Sequence, residues 1–216
     1  MYDAPISYSG KSLFKECPKR WEDNYIRGNR PPSGKAAERG TKLHDELETF
    51  FKGTPYPRDN TVLAPWRRFM EALTIYLPTA EGELAVTADW KPCSFDDPKA
   101  FYRGKADLFF NLGGILHILD WKSGRKYDTH EDQGKSYVAM SPEHDSYRTG
   151  FVYLDHPLEV LEFEYTQTER EDHIAELIKE VNGIRTATEY PATPSDKACQ
   201  WCPLSWRKGG ECKSAR

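Results

Sequence analysis

Residues Phe101 to Lys126 read FYRGKADLFFNLGGILHILDWKSGRK. Two apolar, β-prone runs flank Gly113-Gly114, and two glycines between such runs signal a tight hairpin. A two-residue turn sets Leu112 opposite Ile115, Phe110 opposite His117 and Asp107 opposite Asp120. Directly opposed side chains on an antiparallel pair have Cβ atoms roughly 4.5–5.5 Å apart. Two carboxylates that close repel each other unless a cation lies between them. Side chains alternate along a strand, so Lys122 shares a face with Asp120. Two carboxylates and an ammonium on one face are costly as decoration and make sense as a divalent-metal site with a lysine beside it. The competing reading is a surface salt-bridge ladder. Against it, Asp120 ends the apolar run Ile115–Leu119, so its surroundings should be partly buried.

The chain around this hairpin has 216 residues, enough for one domain with a sizeable core. Its formal net charge is −4 with 30% charged residues, so any nucleic-acid contact must come from a local patch. No stretch approaches the ~18 apolar residues of a membrane span. The N-terminal MYDAPISYSG has neither a basic nor an apolar leader region, and a cytoplasmic setting is expected. There, five cysteines point to metal or cluster ligation rather than disulfides.

Towards the N-terminus, Ser7 or Ser9 caps a short helix bearing Leu13 and Phe14. Pro18 opens a second helix bearing Trp21 and Tyr25, with Cys17 at the junction. Lys35 to Phe51 is a helix with Leu43, Leu47, Phe50 and Phe51 as its apolar stripe. His44 lies beside that stripe; on pattern alone it is a structural histidine. Gly40 inside this helix suits a close backbone approach. Pro65 starts another helix, with Trp66, Phe69, Met70, Leu73 and Tyr76 on its core face, and Leu84–Lys91 reads as a strand. Cys93 follows in a polar loop as a bystander.

Towards the C-terminus, HEDQGKSYVAM is helical and sets Gln133 and Tyr137 one turn apart on a half-exposed face. Arg148–Leu154 and Leu158–Thr166 are strands joined at Asp155-His156-Pro157. Thr168 to Glu171 fits a capping box for a helix carrying Ile174, Leu177, Ile178 and Val181. The chain ends on Cys199-x2-Cys202 and Cys212, for which Cys17 is the available fourth ligand. Structural zinc, an iron–sulfur cluster and a redox pair all fit that pattern.

In this order the motifs resemble the PD-(D/E)xK nuclease superfamily, and within it the RecB-like branch. That branch includes the nuclease domains of RecB and AddB, the CRISPR-associated iron–sulfur exonucleases and many phage-encoded relatives. SYSGKSLFKECPKRW is similar to the branch's N-terminal motif, and GTKLHDELETF to its G-x-x-x-H helix. GKADLFF, ILDWKSG and Gln133 to Tyr137 are similar to its first acidic, D-x-K and Q-x-x-x-Y elements. Ala106 stands where proline often precedes the first aspartate, and the gap from Cys202 to Cys212 is longer than in the branch pattern.

The resemblance implies an α/β, restriction-endonuclease-like fold: a mixed central sheet flanked by helices. One nuclease domain spans 1–216, and 191–216 with Cys17 forms a cluster subregion. His44, Asp107, Asp120 and the Trp121 carbonyl are implied as Mg or Mn ligands. Lys122 is implied as the catalytic lysine, and Gln133 and Tyr137 as positioning groups near a substrate phosphate. Cys17, Cys199, Cys202 and Cys212 are implied to hold a [4Fe–4S] cluster, with Zn as the alternative. The implied activity is a metal-dependent DNA exonuclease on single strands or free ends, in a bacterial or phage-infected cell, with recombination or CRISPR-type protein partners and no membrane. Arg103, Lys105, Arg125, Lys126 and Lys135 are the cations expected to line the DNA path. Rival readings are a different metal-dependent phosphoesterase and a catalytically silent DNA- or protein-binding module stabilised by its cysteines.

Overall fold

The computed structural model describes residues 2–126, 130–200 and 202–214. The chain divides into two compact units, Ser33–Glu176 and Met1–Pro32 with Leu177–Arg216.

The larger unit is built on five strands: β1 (Thr79–Val86), β2 (Tyr102–Leu112), β3 (Ile115–Lys122), β4 (Ser146–Tyr153) and β5 (Val160–Thr166). They lie in the order β1-β2-β3-β4-β5. Only β3 and β4 run parallel; the other neighbours are antiparallel, so the sheet is mixed. Gly113 and Gly114 have φ of 61° and 84°, the left-handed pair that a tight hairpin turn requires. The register follows from that turn, from Leu112↔Ile115 through Phe110↔His117 to Leu108↔Leu119. A parallel neighbour cannot be reached by a hairpin. The crossover from β3 to β4 carries a helix, α5 (His130–Met140). Among the described residues the remaining α-helices are α1 (Tyr8–Glu16), α2 (Pro18–Tyr25), α3 (Lys35–Phe51), α4 (Arg67–Leu73), α6 (Gln167–Thr186) and α7 (Asp196–Gln200).

One face of the sheet forms the main core. Leu108 and Phe110 of β2, Leu119 and Trp121 of β3 and Val152 of β4 meet Leu43 and Leu47 of α3, with Trp66, Met70 and Leu73. Trp66 is fully buried and its indole N–H donates to the Leu154 carbonyl at 3.1 Å, so this large ring is buried without an orphaned donor. Because Leu119 and Trp121 point into that core, period-two alternation turns Asp120 and Lys122 to the opposite face, where α5 lies.

Several local readings shift. The strand read at Leu84–Lys91 is β1, Thr79–Val86. Past Val86 the chain turns back: the Thr87 N–H donates to the Lys91 carbonyl at 2.9 Å, and Trp90 takes a φ of 58°. The Pro65 segment is a short α4 flanked by 3-10 turns at Ala64–Trp66 and Thr74–Tyr76. The capping box lies two residues early: the Thr166 N–H donates to Glu169 at 2.7 Å and the Glu169 N–H to Thr166 Oγ1 at 3.2 Å. β5 begins at Val160, because Leu158 has a φ of 62°. Helix α5 is not half-exposed: His130, Gly134 and Ser136 to Met140 are buried.

In the smaller unit, Ser7 caps α1 by accepting the Gly10 N–H at 3.3 Å, and Pro18 occupies the first turn of α2. Cys17 is the residue shared by the end of α1 and the start of α2. Trp21 is fully buried, stacked on Tyr25 at 5.3 Å and on Tyr190 at 5.8 Å between ring centroids. Lys11 pairs with Glu180 of α6 at 2.7 Å. Among the described residues no helix is long and apolar enough to cross a membrane.

Candidate metal and catalytic site

Burial of Leu43 and Leu47 fixes the roll of α3, which delivers His44 to the edge of the core. His44 Nδ1 lies 2.9 Å from Asp107 Oδ1. The other carboxylate oxygen, Asp107 Oδ2, accepts the Trp121 N–H at 2.5 Å. The recorded β2–β3 backbone pairs run as far as Leu108↔Leu119, and beyond them this side chain takes a β3 amide as its donor. Gly40 does permit a close approach: a Cβ there would lie 2.9 Å from Ser123 Oγ, just past β3. The same stretch is tied down by Asp155, which accepts from Arg39 Nη1 at 3.0 Å and from the Gly124 N–H at 2.7 Å.

A residue absent from the sequence reading joins them. The pairs Ala80↔Leu108 and Gly82↔Ala106 put Glu81 of β1 opposite Asp107. The ligand atoms of His44, Glu81 and Asp107 lie within 4.8 Å of one another. The signal available in the sequence was the period-two alternation of TAEGELAV, which extends the strand back through Glu81.

Asp120, Lys122, Gln133 and Tyr137 form the second half. Lys122 Nζ is 2.5 Å from Asp120 Oδ2 and donates to Gln133 Oε1 at 2.7 Å. The Gln133 amide donates to Asp120 Oδ1 at 3.0 Å and to the Tyr137 hydroxyl at 2.7 Å. That hydroxyl sits 2.6 Å from Asp120 Oδ1 and 2.8 Å from the Lys105 carbonyl. Lys122 also lies over the Phe151 ring, 5.4 Å from its centroid. Both halves line one open cleft of about 510 Å³, with Asp45, Glu48 and Lys105 at its margin.

The electrostatics are those of a site with excess negative charge. Burial pushes the Asp107 carboxyl above the usual range, the Asp120 charge pushes it further, and the His44 contact opposes both. Burial raises Glu81, and so do the charge of Asp107, the charge of Glu48 and a hydrogen bond with Asp107. A hydrogen bond between two carboxyl groups requires that one keep its proton. Burial lowers His44, but the hydrogen bond and charge of Asp107 outweigh it and the net shift is upward. Tyr137 is held well above its ordinary range by burial and by Asp120, so it remains a donor at neutral pH.

These directions set a pH dependence. Asp107, Glu81 and His44 bind protons more tightly folded than unfolded, so between the two pKa values of each the native state holds more protons and stability falls as pH rises. In chelator, the melting temperature is expected to fall as pH rises from about 4, where carboxylates ordinarily titrate, through neutrality. Saturating Mn²⁺ should flatten that fall, which scanning calorimetry across pH 4.5–8 in EDTA and in Mn²⁺ would measure over a range of about these values.

The structure therefore brings together His44, Asp107, Asp120, Lys122, Gln133 and Tyr137. The Trp121 indole belongs to the core, while its backbone N–H serves Asp107. The cations expected along a DNA path are mostly engaged. Arg103 bonds the Phe95 carbonyl at 2.8 Å, Lys105 pairs with Glu83 at 2.7 Å, Lys135 with Glu131 at 3.0 Å and Lys126 with Glu159; Arg125 is exposed.

The four cysteines of the pattern all lie in the smaller unit and are free thiols. Cys202 and Cys212 are buried. The Cys202 N–H donates to the Cys199 carbonyl at 3.2 Å, and the Cys212 N–H to the Leu204 carbonyl at 2.8 Å. Burial raises the Cys202 thiol, and Cys17 and Cys199 are near enough to raise it further.

The sequence profile of the PD-(D/E)XK nuclease superfamily matches residues 5–207. The chain belongs to that superfamily. Among solved structures, it is similar to the crystal structure of SSO0001, at 16% identity and a TM-score of 0.53, over 98% of this chain and 87% of that one. A second similar structure, described as a "putative exonuclease" from Eubacterium rectale, aligns at 12% identity and a TM-score of 0.58 over 95% of this chain and 87% of that one. No curated protein matches the chain. At these identities the structural likeness speaks to the fold: the mixed five-stranded sheet flanked by helices is the restriction-endonuclease-like arrangement of PD-(D/E)XK nucleases. Nucleases of this superfamily hydrolyse nucleic-acid phosphodiesters with divalent metal. The donor set fits such an ion, since one imidazole and two carboxylates converge in a half-buried cleft.

Proposed function

We propose that this PD-(D/E)XK nuclease is a Mg²⁺- or Mn²⁺-dependent deoxyribonuclease of the RecB-like type that degrades single-stranded DNA or DNA from its ends. The observation that carries the reading is Lys122, held between Asp120 and Gln133 in the same cleft as His44 and Asp107. His44, Asp107 and Asp120 are the side chains assigned to the metal, and the Trp121 carbonyl is assigned as a further oxygen donor. Once bound, the ion supplies Lewis acidity toward the phosphodiester. The chain's own residues do the rest. Lys122 holds the attacking water and stabilises the negative charge that builds on the phosphate oxygens. Gln133 and Asp120 fix the ammonium, and Tyr137 fixes Asp120, so the lysine is aimed before substrate arrives. Water adds to phosphorus, the bond to the leaving sugar oxygen breaks, and a proton passes to that oxygen. A phosphoesterase acting on small substrates would share this chemistry; the description of the Eubacterium rectale structure accords with the exonuclease reading.

The same reading makes the chain one nuclease domain whose C-terminal residues 191–216, with Cys17, form a [4Fe–4S] subregion. The burial of Cys202 beside Cys17 and Cys199 supports it. The test is a digestion panel of end-labelled linear and circular, single- and double-stranded DNA with Mn²⁺, Mg²⁺ or EDTA. Expected is metal-dependent shortening of linear strands with circles spared. Intact DNA of every kind with Mn²⁺ would sink the nuclease reading, and cut circles would replace exonuclease with endonuclease. Anaerobically purified protein should be brown, with absorbance near about 400 nm. A colourless protein with stoichiometric zinc would replace the cluster.

A further inference from the structure

Glu81 is the one member of the converging trio that neither the hairpin nor the helix motifs point to. Its backbone has a φ of 50° in the middle of a strand, a conformation that costs a residue with a side chain about 1 kcal/mol or more. Gly82 follows it, and a Cβ there would fall 2.3 Å from the Phe109 ring, so the chain at this point has little room to relax. The result is a carboxyl aimed at Asp107 and His44. Among the described residues, the nearby cations are already taken: Lys122 serves Asp120, Lys105 serves Glu83 and Lys52 serves Glu48. Two carboxyl groups, one of them on Asp107 at 9% exposure, thus lie with their ligand atoms within 4.8 Å of each other and of an imidazole nitrogen. Such a pair needs a proton or a metal ion to hold it together.

We propose that Glu81 is a further direct ligand of the divalent ion, converging on it with His44 and Asp107 and joining Asp120. This rests on the metal-dependent reading above and adds one carboxylate to its ligand set. Asp120 has one oxygen taken by Gln133 and Tyr137 and the other facing Lys122. Asp120 thus holds the lysine as well as serving the metal, and Glu81 supplies a carboxylate with no such second task. The mixed nitrogen and oxygen donors suit Mn²⁺ at least as well as Mg²⁺.

The experiment measures Mn²⁺ binding to the full chain by loss of the free-ion EPR signal, together with melting temperatures in EDTA and in Mn²⁺. Four proteins are compared: wild type, Glu81→Gln, Glu81→Gly and Glu83→Gln. Glycine accepts the positive φ, so Glu81→Gly removes the carboxylate without backbone strain. Both Glu81 variants should melt in EDTA at or above wild type, because a repelling carboxylate is gone. Both should bind Mn²⁺ about 10–100-fold more weakly, a range reached even when only the groups supporting a ligand are lost. Glu83→Gln should bind as wild type. Wild-type affinity in a folded Glu81 variant would overturn the proposal and leave the nuclease reading intact. Wild-type protein that binds no Mn²⁺ would instead overturn the metal-dependent reading itself. Glu81 variants that melt far below wild type in EDTA would make the residue structural and overturn its assignment as ligand.

Discussion

Replacement of Lys122 by alanine is expected to abolish DNA cleavage while leaving a folded protein. Among the described residues the ammonium is the one cation paired with Asp120, and Gln133 holds it from the other side. Loss of a single donor aimed at developing negative charge typically costs about 10²–10³ in rate. The variant should also melt earlier in chelator. Lys122 and Asp120 side chains are only 19% and 8% exposed, so removing the lysine leaves a nearly buried carboxylate without its counter-charge. The retained hydrogen bonds from Tyr137 and Gln133 limit that loss to about 1–3 kcal/mol. Added Mn²⁺ should restore part of the melting temperature without restoring cleavage. Single-turnover digestion and calorimetry on the same preparation separate the two effects. Cleavage at wild-type rate would show that Lys122 is structural and that another group handles the water.

Asp107→Asn is expected to be the more complete loss. Asp107 links α3 to β3, through His44 on one oxygen and the Trp121 amide on the other. An asparagine can still accept the Trp121 N–H, so the local fold is kept, but the charge that draws the cation is gone. Cleavage should fall by about 10³-fold or more, comparable to removing a principal catalytic electrostatic group. The rise in melting temperature on adding Mn²⁺ should vanish with it. In wild type that rise corresponds to about 2.7 kcal/mol when the ion is present at 100 times its dissociation constant. Without metal the order reverses: at neutral pH the asparagine variant should be the more stable, since burial and the charge of Asp120 both penalise ionised Asp107. Its metal-free melting temperature should also vary less with pH. A variant that is unstable in EDTA would mean that the contacts of Asp107 with His44 and Trp121 outweigh its repulsion of Asp120.

Much of this arrangement is local in origin, and that part was legible in the sequence. Two glycines determine a turn, the turn determines the register of β2 against β3, and alternation then determines which residues share a face with Asp120. The stripe of Leu43 and Leu47 determines α3 and the side on which His44 emerges. Gln133 and Tyr137 meet because they are one helical turn apart. The readings that moved are those in which a distant segment chose among local options. β1 lies at Thr79–Val86 because it pairs along β2 from Phe109 to Tyr102, while Thr87 to Trp90 folds into a turn. Lys105, Lys126 and Lys135 looked available to DNA because a sequence does not show which carboxylates will face them.

The sequence by itself determined the hairpin, the two helices that carry His44 and Gln133, and the identity of most of the chemistry-bearing side chains. Each of those follows from spacing within a dozen residues. Only the tertiary structure decided how the charges are divided: Lys122 to Asp120, His44 and Glu81 to Asp107. The physical reason is that a carboxylate's partner is set by distances of a few ångströms between groups up to 63 positions apart, as for His44 and Asp107. Glu81 enters that division through a left-handed backbone and a cross-strand register, and neither is written in its neighbours.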